Sequence, residues 1–239
     1  MSKIYVDTVE PSAPTKNITL GATGDSITVG GTSINTNIIQ DSGGNVLFQS
    51  DGSGTLSNVN SAFSTNFKLL STQTASGSAS VSFTSGIDST YDLYIFKFIE
   101  INPATDIVNF RFQGSTDGGS GYGVTKTTSA FWTAHAETGA DEFEYRAAQD
   151  LAQSTSAQQL TVYAGNGADE NASGELYLFA PSSTTYVKQF YSTVNYYQNN
   201  NYTTELFIGG YFNTTSAINA MQFTMSSGNF DGVIKMYGL

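Results

Sequence analysis

Cysteine is missing from all 239 residues, so the chain forms no disulfide bonds and offers no thiolate ligands to a metal. Charged residues make up only 12%, against roughly 25% in an average soluble domain. His135 is the only histidine. No apolar run approaches the roughly 20 residues of a membrane-spanning helix, and the polar first residues do not form a secretory signal. These absences predict a protein without cofactor or metal that is made in the cytoplasm and not exported.

Positive charge is also scarce, because 9 Lys and Arg residues face 20 Asp and Glu residues and leave a net charge of −11. A nucleic-acid-binding protein needs a basic surface to neutralise phosphates, and a protein that docks on anionic lipid needs the same. We therefore expect neither nucleic acid nor membrane as a partner. Aromatic residues, in contrast, are abundant at 13%, with 16 Phe and 14 Tyr, and supply material for a sizeable core.

The first 16 residues are predicted to form an attachment arm. Ile4, Tyr5 and Val6 alternate in the manner of a short strand, which Pro11 and Pro14 then end. An extended segment of this kind can add to the edge of a sheet in another protein, where backbone hydrogen bonds provide affinity. We expect these three residues to make that contact.

Residues 17–60 are predicted to form a thin, Gly-rich β shaft. Short Ile, Val and Leu segments alternate with turns such as Gly30-Gly31 and Asp51-Gly52. The segment has too few apolar residues to bury a core alone, so we expect three copies to wind around a shared axis. The residues predicted to face this trimer axis are Ile18, Leu20, Ile27, Val29 and Val46. An irregular Gly/Ser linker is the alternative.

Residues 61–239 are predicted to form an antiparallel β-sandwich head of the jelly-roll kind, because many short apolar-polar alternations are separated by explicit turn signals. Residues 140–159 are rich in Ala, Gln and Glu and are expected to form a short helix or a long loop. The fold class is therefore all-β. The predicted strands are 67–75, 79–84, 91–101, 107–114, 125–134, 160–164, 174–180, 185–197, 202–212, 219–226 and 232–237.

No set of residues matches a catalytic or metal-binding pattern, so we predict neither kind of site. A lone histidine without a Gly-x-Ser-x-Gly segment does not indicate a hydrolase, and His135 is expected at a subunit boundary. The Gly-rich 114–123 stretch lacks the Gly-Lys of a phosphate-binding loop. The paired acids that could serve glycoside hydrolysis are expected to be solvated loop charges; they are Asp141, Glu142, Glu144, Asp169 and Glu170. Asp117 and the Asp169-Glu170 pair could offer oxygen ligands to calcium, but neither stretch matches the spaced acidic pattern of a calcium loop.

The segment YSTVNYYQNNNY, residues 191–202, combines flat aromatic faces with amide groups. Tyr and Asn together are suited to recognising sugars and protein partners. Tyr196, Tyr197 and Tyr202 are therefore candidate glycan contacts. Ordinary packing of tyrosines on strand faces is the alternative.

Three stretches, MSKIYVDTVEP, TLGATGDSITVGG and the terminal IKMYGL, resemble virion structural proteins of tailed bacteriophages, especially phages of marine and freshwater bacteria. The resemblance covers about the first 60 and the last eight residues and concerns short tail-fibre-like and head-decorating (capsid fibre) proteins. It implies a non-enzymatic virion surface protein, assembled in the host cytoplasm, whose N-terminus docks on capsid or tail proteins. The alternative is a carbohydrate-binding receptor-recognition module or a depolymerase acting on host surface glycans.

Overall fold

The structure is a computed structural model that describes residues 38–41, 43–59 and 67–239. These residues form strands, turns and irregular segments without a helix, which confirms the all-β expectation. Within the same ranges no helix is long and apolar enough to span a membrane. The attachment arm, with Ile4, Tyr5 and Val6, lies outside the described residues, as do the predicted trimer contacts Ile18, Leu20, Ile27 and Val29.

The chain divides into two compact units, Met1–Phe63 and Ser64–Leu239. In the first unit, β1 (Ile38–Gln40), β2 (Val46–Ser50) and β3 (Leu56–Val59) form a three-stranded antiparallel sheet in the order β1-β2-β3. Carboxylates of Asp41 and Asp51 accept backbone hydrogen bonds within the two connecting turns. Val46, the one predicted trimer contact that is described, is half-buried in β2.

The second unit contains two antiparallel sheets, which fits the predicted β-sandwich. The larger sheet has nine strands in the order β10-β8-β14-β13-β12-β6-β16-β4, and β9 also pairs with β8. Its strands are β4 (Lys68–Ser78), β6 (Leu93–Pro103), β8 (Lys126–Ala136), β9 (Asp141–Tyr145), β10 (Leu151–Ser154), β12 (Ala172–Phe179), β13 (Lys188–Gln198), β14 (Tyr202–Phe212) and β16 (Phe230–Gly238).

The smaller sheet has four strands in the order β11-β7-β15-β5. They are β5 (Ser80–Phe83), β7 (Phe110–Ser115), β11 (Gln158–Gln159) and β15 (Ala220–Met225). Across both sheets, strands pair in a nested series, β4 with β16, β5 with β15, β6 with β12 and β7 with β11. These eight strands thus form one long antiparallel hairpin, and its successive strand pairs belong alternately to the larger and the smaller sheet.

Period-two alternation decides which side chains enter the core. Along β8, every second residue from Lys126 to Ala136 is buried and the residues between them are more exposed. The centre of the core is Phe223 of β15, whose ring contacts Phe83, Phe96, Phe98 and Phe110 at centroid distances of 5.2 to 6.2 Å. Because Phe96 and Phe98 belong to β6 and the others to the smaller sheet, this cluster joins the two sheets.

Two predictions about local structure are wrong. Residues 140–159 form neither a helix nor a long loop, since β9, β10 and β11 all lie within them. The predicted strand 160–164 is irregular, apart from the two isolated bridges that Ala164 forms with Val108 and Gln198. The first difference arises because short strands at a sheet edge are stabilised by a neighbouring strand rather than by an alternating pattern of their own. The second arises because Leu160 and Val162 are buried in the core without pairing as a strand, so their apolar character does not indicate one.

Candidate functional site

The register between β8 and β9 places two glutamates beside the only tryptophan. Glu144 lies opposite Trp132, and Glu142 lies opposite Ala134. Directly opposed residues project from the same face of a sheet, and Trp132 and Ala134 belong to the face of β8 that carries the buried core. Tyr202 joins this inner face, because it lies opposite Ala136.

Arg146 is held in place immediately after β9. Its guanidinium lies over the Trp132 ring, 3.7 Å from the centroid, as a cation–π contact. Its Nε donates to Oε1 of Gln149 at 3.0 Å, and its Nη1 donates to Oε2 of Glu144 at 2.6 Å. The backbone N–H of Arg146 also donates to the carbonyl of Ala130 at 2.8 Å. These contacts fix the plane and the direction of the guanidinium.

The backbone of Tyr163 has a strained conformation. Its φ is +58°, a left-handed value that non-glycine residues rarely adopt and that is often found at functional sites. The carboxamide Oδ1 of Asn109 accepts a hydrogen bond from the Tyr163 N–H at 3.0 Å, and the Tyr163 carbonyl accepts one from the Asn199 N–H at 3.2 Å. The side chain remains 47% exposed, so its ring is accessible.

Together these side chains form one open depression, the inner-face cleft, with a volume of about 340 Å³. Tyr rings, carboxylates, amides and a guanidinium converge in it without a large apolar floor, a composition suited to a polar ligand with flat apolar faces. The residues that line it are Trp132, Glu142, Glu144, Arg146, Tyr163, Gln198, Asn200 and Tyr202.

One wall of the inner-face cleft carries an unsatisfied donor. Trp132 is only 5% exposed, and its indole N–H has no hydrogen-bond acceptor among the described residues. A buried donor without an acceptor costs about 1–3 kcal/mol, so such a group calls for an explanation. The nitrogen itself is buried, so it is not open to a ligand in the cleft, and Trp132 contributes to the site through its ring beneath Arg146.

The three tyrosines predicted to contact a glycan do not share one surface. Tyr196 is 1% exposed and belongs to the core, so it cannot present a ring to a ligand. Tyr197 follows it on the opposite face, where its hydroxyl donates to Oε1 of Glu137 at 2.9 Å. Only Tyr202 lines the inner-face cleft. The reason is the alternation of a strand, which separates consecutive residues to opposite faces.

His135 lies apart from the inner-face cleft. It is exposed on the opposite face of β8, where it lines a shallow groove of about 230 Å³ with Thr203, Asn195 and Glu205. The two cleft glutamates therefore have no histidine beside them. Glu142 and Glu144 are exposed but belong to a strand, not to a loop as expected.

Acidic side chains in two loops accept hydrogen bonds from residues close to them in the chain. Oδ1 of Asp117 accepts hydrogen bonds from the Ser115 hydroxyl at 2.6 Å and from the Gly121 N–H at 2.9 Å, and the Ser115 bond in particular lowers the pKa of Asp117. Oε2 of Glu170 accepts one from the Gly167 N–H at 2.6 Å. No group of three or more His, Cys, Asp or Glu side chains that could hold a metal ion occurs in the part of the chain that the structure describes.

Sequence reasoning missed Trp132, Arg146 and Tyr163 as parts of one site. The signals were weak: Trp132 is the single tryptophan, and Arg146 is one of nine basic residues. Neither signal shows that a bend between β9 and β10 brings the two side chains together. Comparison with family models, curated proteins and solved structures finds no match to this chain.

Proposed function

We propose that the chain is a non-enzymatic virion surface protein of a tailed bacteriophage, a short trimeric fibre, spike or capsid decoration whose head recognises a host glycan. The main support for glycan recognition is the inner-face cleft, where Tyr163, Tyr202 and Arg146 lie close together. The resemblance of the N-terminal 60 residues to phage virion proteins supports the location. In this proposal the arm around Ile4, Tyr5 and Val6 docks on a capsid or tail protein.

The strand order supports a jelly roll as the architecture of the head. A jelly roll has eight strands in two sheets and arises when a long antiparallel hairpin is rolled up. The four nested pairs β4–β16, β5–β15, β6–β12 and β7–β11 reproduce that arrangement. The five remaining strands of the head extend the larger sheet; they are β8, β9, β10, β13 and β14. Jelly rolls occur in viral capsid proteins and in lectins, although the fold alone does not assign a function.

Sugar recognition fits the chemistry of the inner-face cleft. A sugar ring presents apolar C–H faces and a rim of hydroxyl groups, each able to donate and accept hydrogen bonds. The exposed Tyr163 ring offers a flat apolar surface, while the exposed amide of Asn200 offers both donors and acceptors. Gln198 is buried, and its Nε2 donates to Oγ1 of Thr204. The backbone hydrogen bonds of Tyr163 to Asn109 and Asn199, and a three-residue hairpin loop at 199–201, hold these groups in position.

A depolymerase is the alternative, and one observation favours it: Glu142 and Glu144 project from the same face of β9. Glycoside hydrolysis uses such a pair, one carboxyl group acting as an acid. That acid needs surroundings that raise its pKa, usually by burial. Here both glutamates are exposed, and Glu144 is bonded to Arg146. We therefore favour binding over hydrolysis.

The test is competition with phage adsorption. The purified full chain should block adsorption of particles that carry it to their host cells, and Tyr163→Ala should weaken that block by about tenfold or more. The matched control is Tyr186→Ala, which removes a more exposed tyrosine that does not line the inner-face cleft. Its blocking should equal that of the unchanged chain.

Three outcomes would contradict the proposal. If the chain does not compete, or if Tyr163→Ala competes as well as Tyr186→Ala while both remain folded, the cleft is not a receptor site. If the chain releases oligosaccharides from host glycan and Glu142→Gln abolishes the release, the depolymerase alternative is correct.

A further inference from the structure

The Arg146–Glu144 pair is one of two ion pairs among the described residues, and it lines the inner-face cleft, whereas the Lys97–Glu175 pair lines a separate depression. Nη1 of Arg146 and Oε2 of Glu144 are 2.6 Å apart. The pair presents a charged donor directly beside a charged acceptor. Such a unit recognises a partner that offers an acceptor and a donor at the same spacing.

Two adjacent hydroxyl groups on a sugar ring are such a partner. One hydroxyl oxygen accepts from the guanidinium, and the neighbouring hydroxyl donates its proton to the carboxylate. Arg146 bonds Gln149 through Nε and Glu144 through Nη1, and no described residue bonds its Nη2. Its donors at Nη2 therefore remain available to a ligand.

Charge selects between neutral and acidic sugars. Glu142 and Glu144 carry two negative charges in the inner-face cleft against one positive charge on Arg146. The whole chain adds to this with a net charge of −11. A carboxylated sugar would meet repulsion from Glu142 and would compete with Glu144 for Arg146, whereas a neutral sugar meets neither obstacle.

We infer that the inner-face cleft binds a neutral sugar through two adjacent hydroxyl groups, which the Arg146–Glu144 pair reads as acceptor and donor. This inference rests on the proposed function, because it names the ligand class of the same site. In it, Tyr163 supplies the surface on which the ring lies. Trp132 and Gln149 act as positioning residues, since they hold the guanidinium and do not contact the sugar.

Calorimetric titration of the full chain tests the inference. The probes are methyl glycosides of glucose, galactose and mannose, their monodeoxy derivatives, and glucuronic and sialic acids. At least one neutral glycoside should bind, and the derivative that lacks one of the two hydroxyls should bind about tenfold more weakly, since it leaves a charged group unpaired. The two acidic sugars should bind more weakly than the neutral one.

Two isosteric variants separate recognition from folding. Glu144→Gln should weaken binding of the neutral glycoside by about tenfold, since it removes a charged acceptor while keeping its shape. Glu175→Gln is the matched control, because it alters the ion pair between Lys97 and Glu175 outside the cleft. It should leave binding unchanged. Thermal unfolding of both variants checks that each is folded.

The possible failures are distinguishable. If Tyr163→Ala abolishes binding but Glu144→Gln does not, or if an acidic sugar binds most tightly, this inference is wrong and the proposed function stands. If the unchanged chain binds none of the probes yet still blocks phage adsorption, the inference is again wrong. If it neither binds nor blocks, the proposed function is wrong as well.

Discussion

Lys126 and Lys188 carry their amino groups into the interior without a carboxylate partner. Each side chain is 0% exposed, and neither forms an ion pair with any described residue. They lie on either side of Phe212 on neighbouring strands. Lys126 Nζ donates to the Val124 carbonyl at 3.0 Å, and Lys188 Nζ donates to the Tyr186 carbonyl at 2.8 Å. Backbone carbonyls thus take the place of the absent acids.

Burial lowers the pKa of Lys126 from 10.5 to about 8. Between these two values the unfolded chain holds a proton that the folded chain has released, so stability should increase as pH rises from 8 towards 10. The charged form costs about 3 kcal/mol at pH 7, part of which the bond to Val124 offsets. We predict that Lys126→Met stabilises the protein by about 2 kcal/mol at pH 7 and by less at pH 9.5.

Urea denaturation at the two pH values measures this difference. The matched control is Lys68→Met, an exposed residue whose replacement should change stability by less than about 0.5 kcal/mol at either pH. A gain that stays the same at both pH values would show that packing, and not the buried charge, is responsible.

At the scale of the strands, an irregularity in the pairing of β6 with β16 requires a glycine. The register shifts between Asp231 and Val233, and Glu100 on the neighbouring strand has a φ of +52°. Gly232 has a φ of +135°, and a Cβ there would lie 2.8 Å from the Glu100 carbonyl oxygen. The bulge therefore needs both the conformational freedom and the small volume of glycine.

We predict that Gly232→Ala lowers the free energy of unfolding by about 2–4 kcal/mol, because it adds a steric clash to an unfavourable φ. Gly118→Ala is the matched control: its φ is +72°, but no atom lies within 4 Å of the added Cβ. It should cost only about 1–2 kcal/mol. Thermal and urea unfolding measure both values, and equal costs would contradict the role of the close approach to Glu100.

At the scale of the whole molecule, the described residues of the two units differ in how many apolar side chains they bury. The second unit contains a continuous core around Phe223. In the first unit, Ile39 is 41% exposed and Leu56 is 57% exposed in a sheet of only three strands. A sheet of three short strands is marginal in water by itself, and exposed apolar side chains favour burial against a partner, which supports the proposal that further copies of the chain cover it.

We predict that the full chain is a homotrimer in solution at micromolar concentration, since three copies can bury apolar side chains that one copy exposes. A fragment covering residues 64–239 should fold with the same near-UV circular dichroism signal and associate less tightly. Light scattering measures both masses. A full chain that is monomeric, or a fragment that is as fully trimeric as the full chain, would contradict a trimer held by the shaft.

Local sequence determined much of the secondary structure. The alternation along 202–212 predicted β14 to the residue, and the alternation along 125–134 predicted most of β8. Each of these strands is long and has one buried face, so its period-two pattern is complete within the segment itself. The turn residues between strands act over equally short distances, which is why the all-β class could be predicted from the sequence.

Tertiary structure alone decided the partners and the site. The pairing of β4 with β16 joins residues more than 150 positions apart, and no local pattern encodes such a choice. The inner-face cleft depends on a register that sets Glu144 beside Trp132 and on a bend that folds Arg146 over the indole. Tyr196 and Tyr197 are a second case in which the sequence was not sufficient. Both are tyrosines in one strand, and only the packing of that strand determined that Tyr196 lies in the core and Tyr197 on the opposite face.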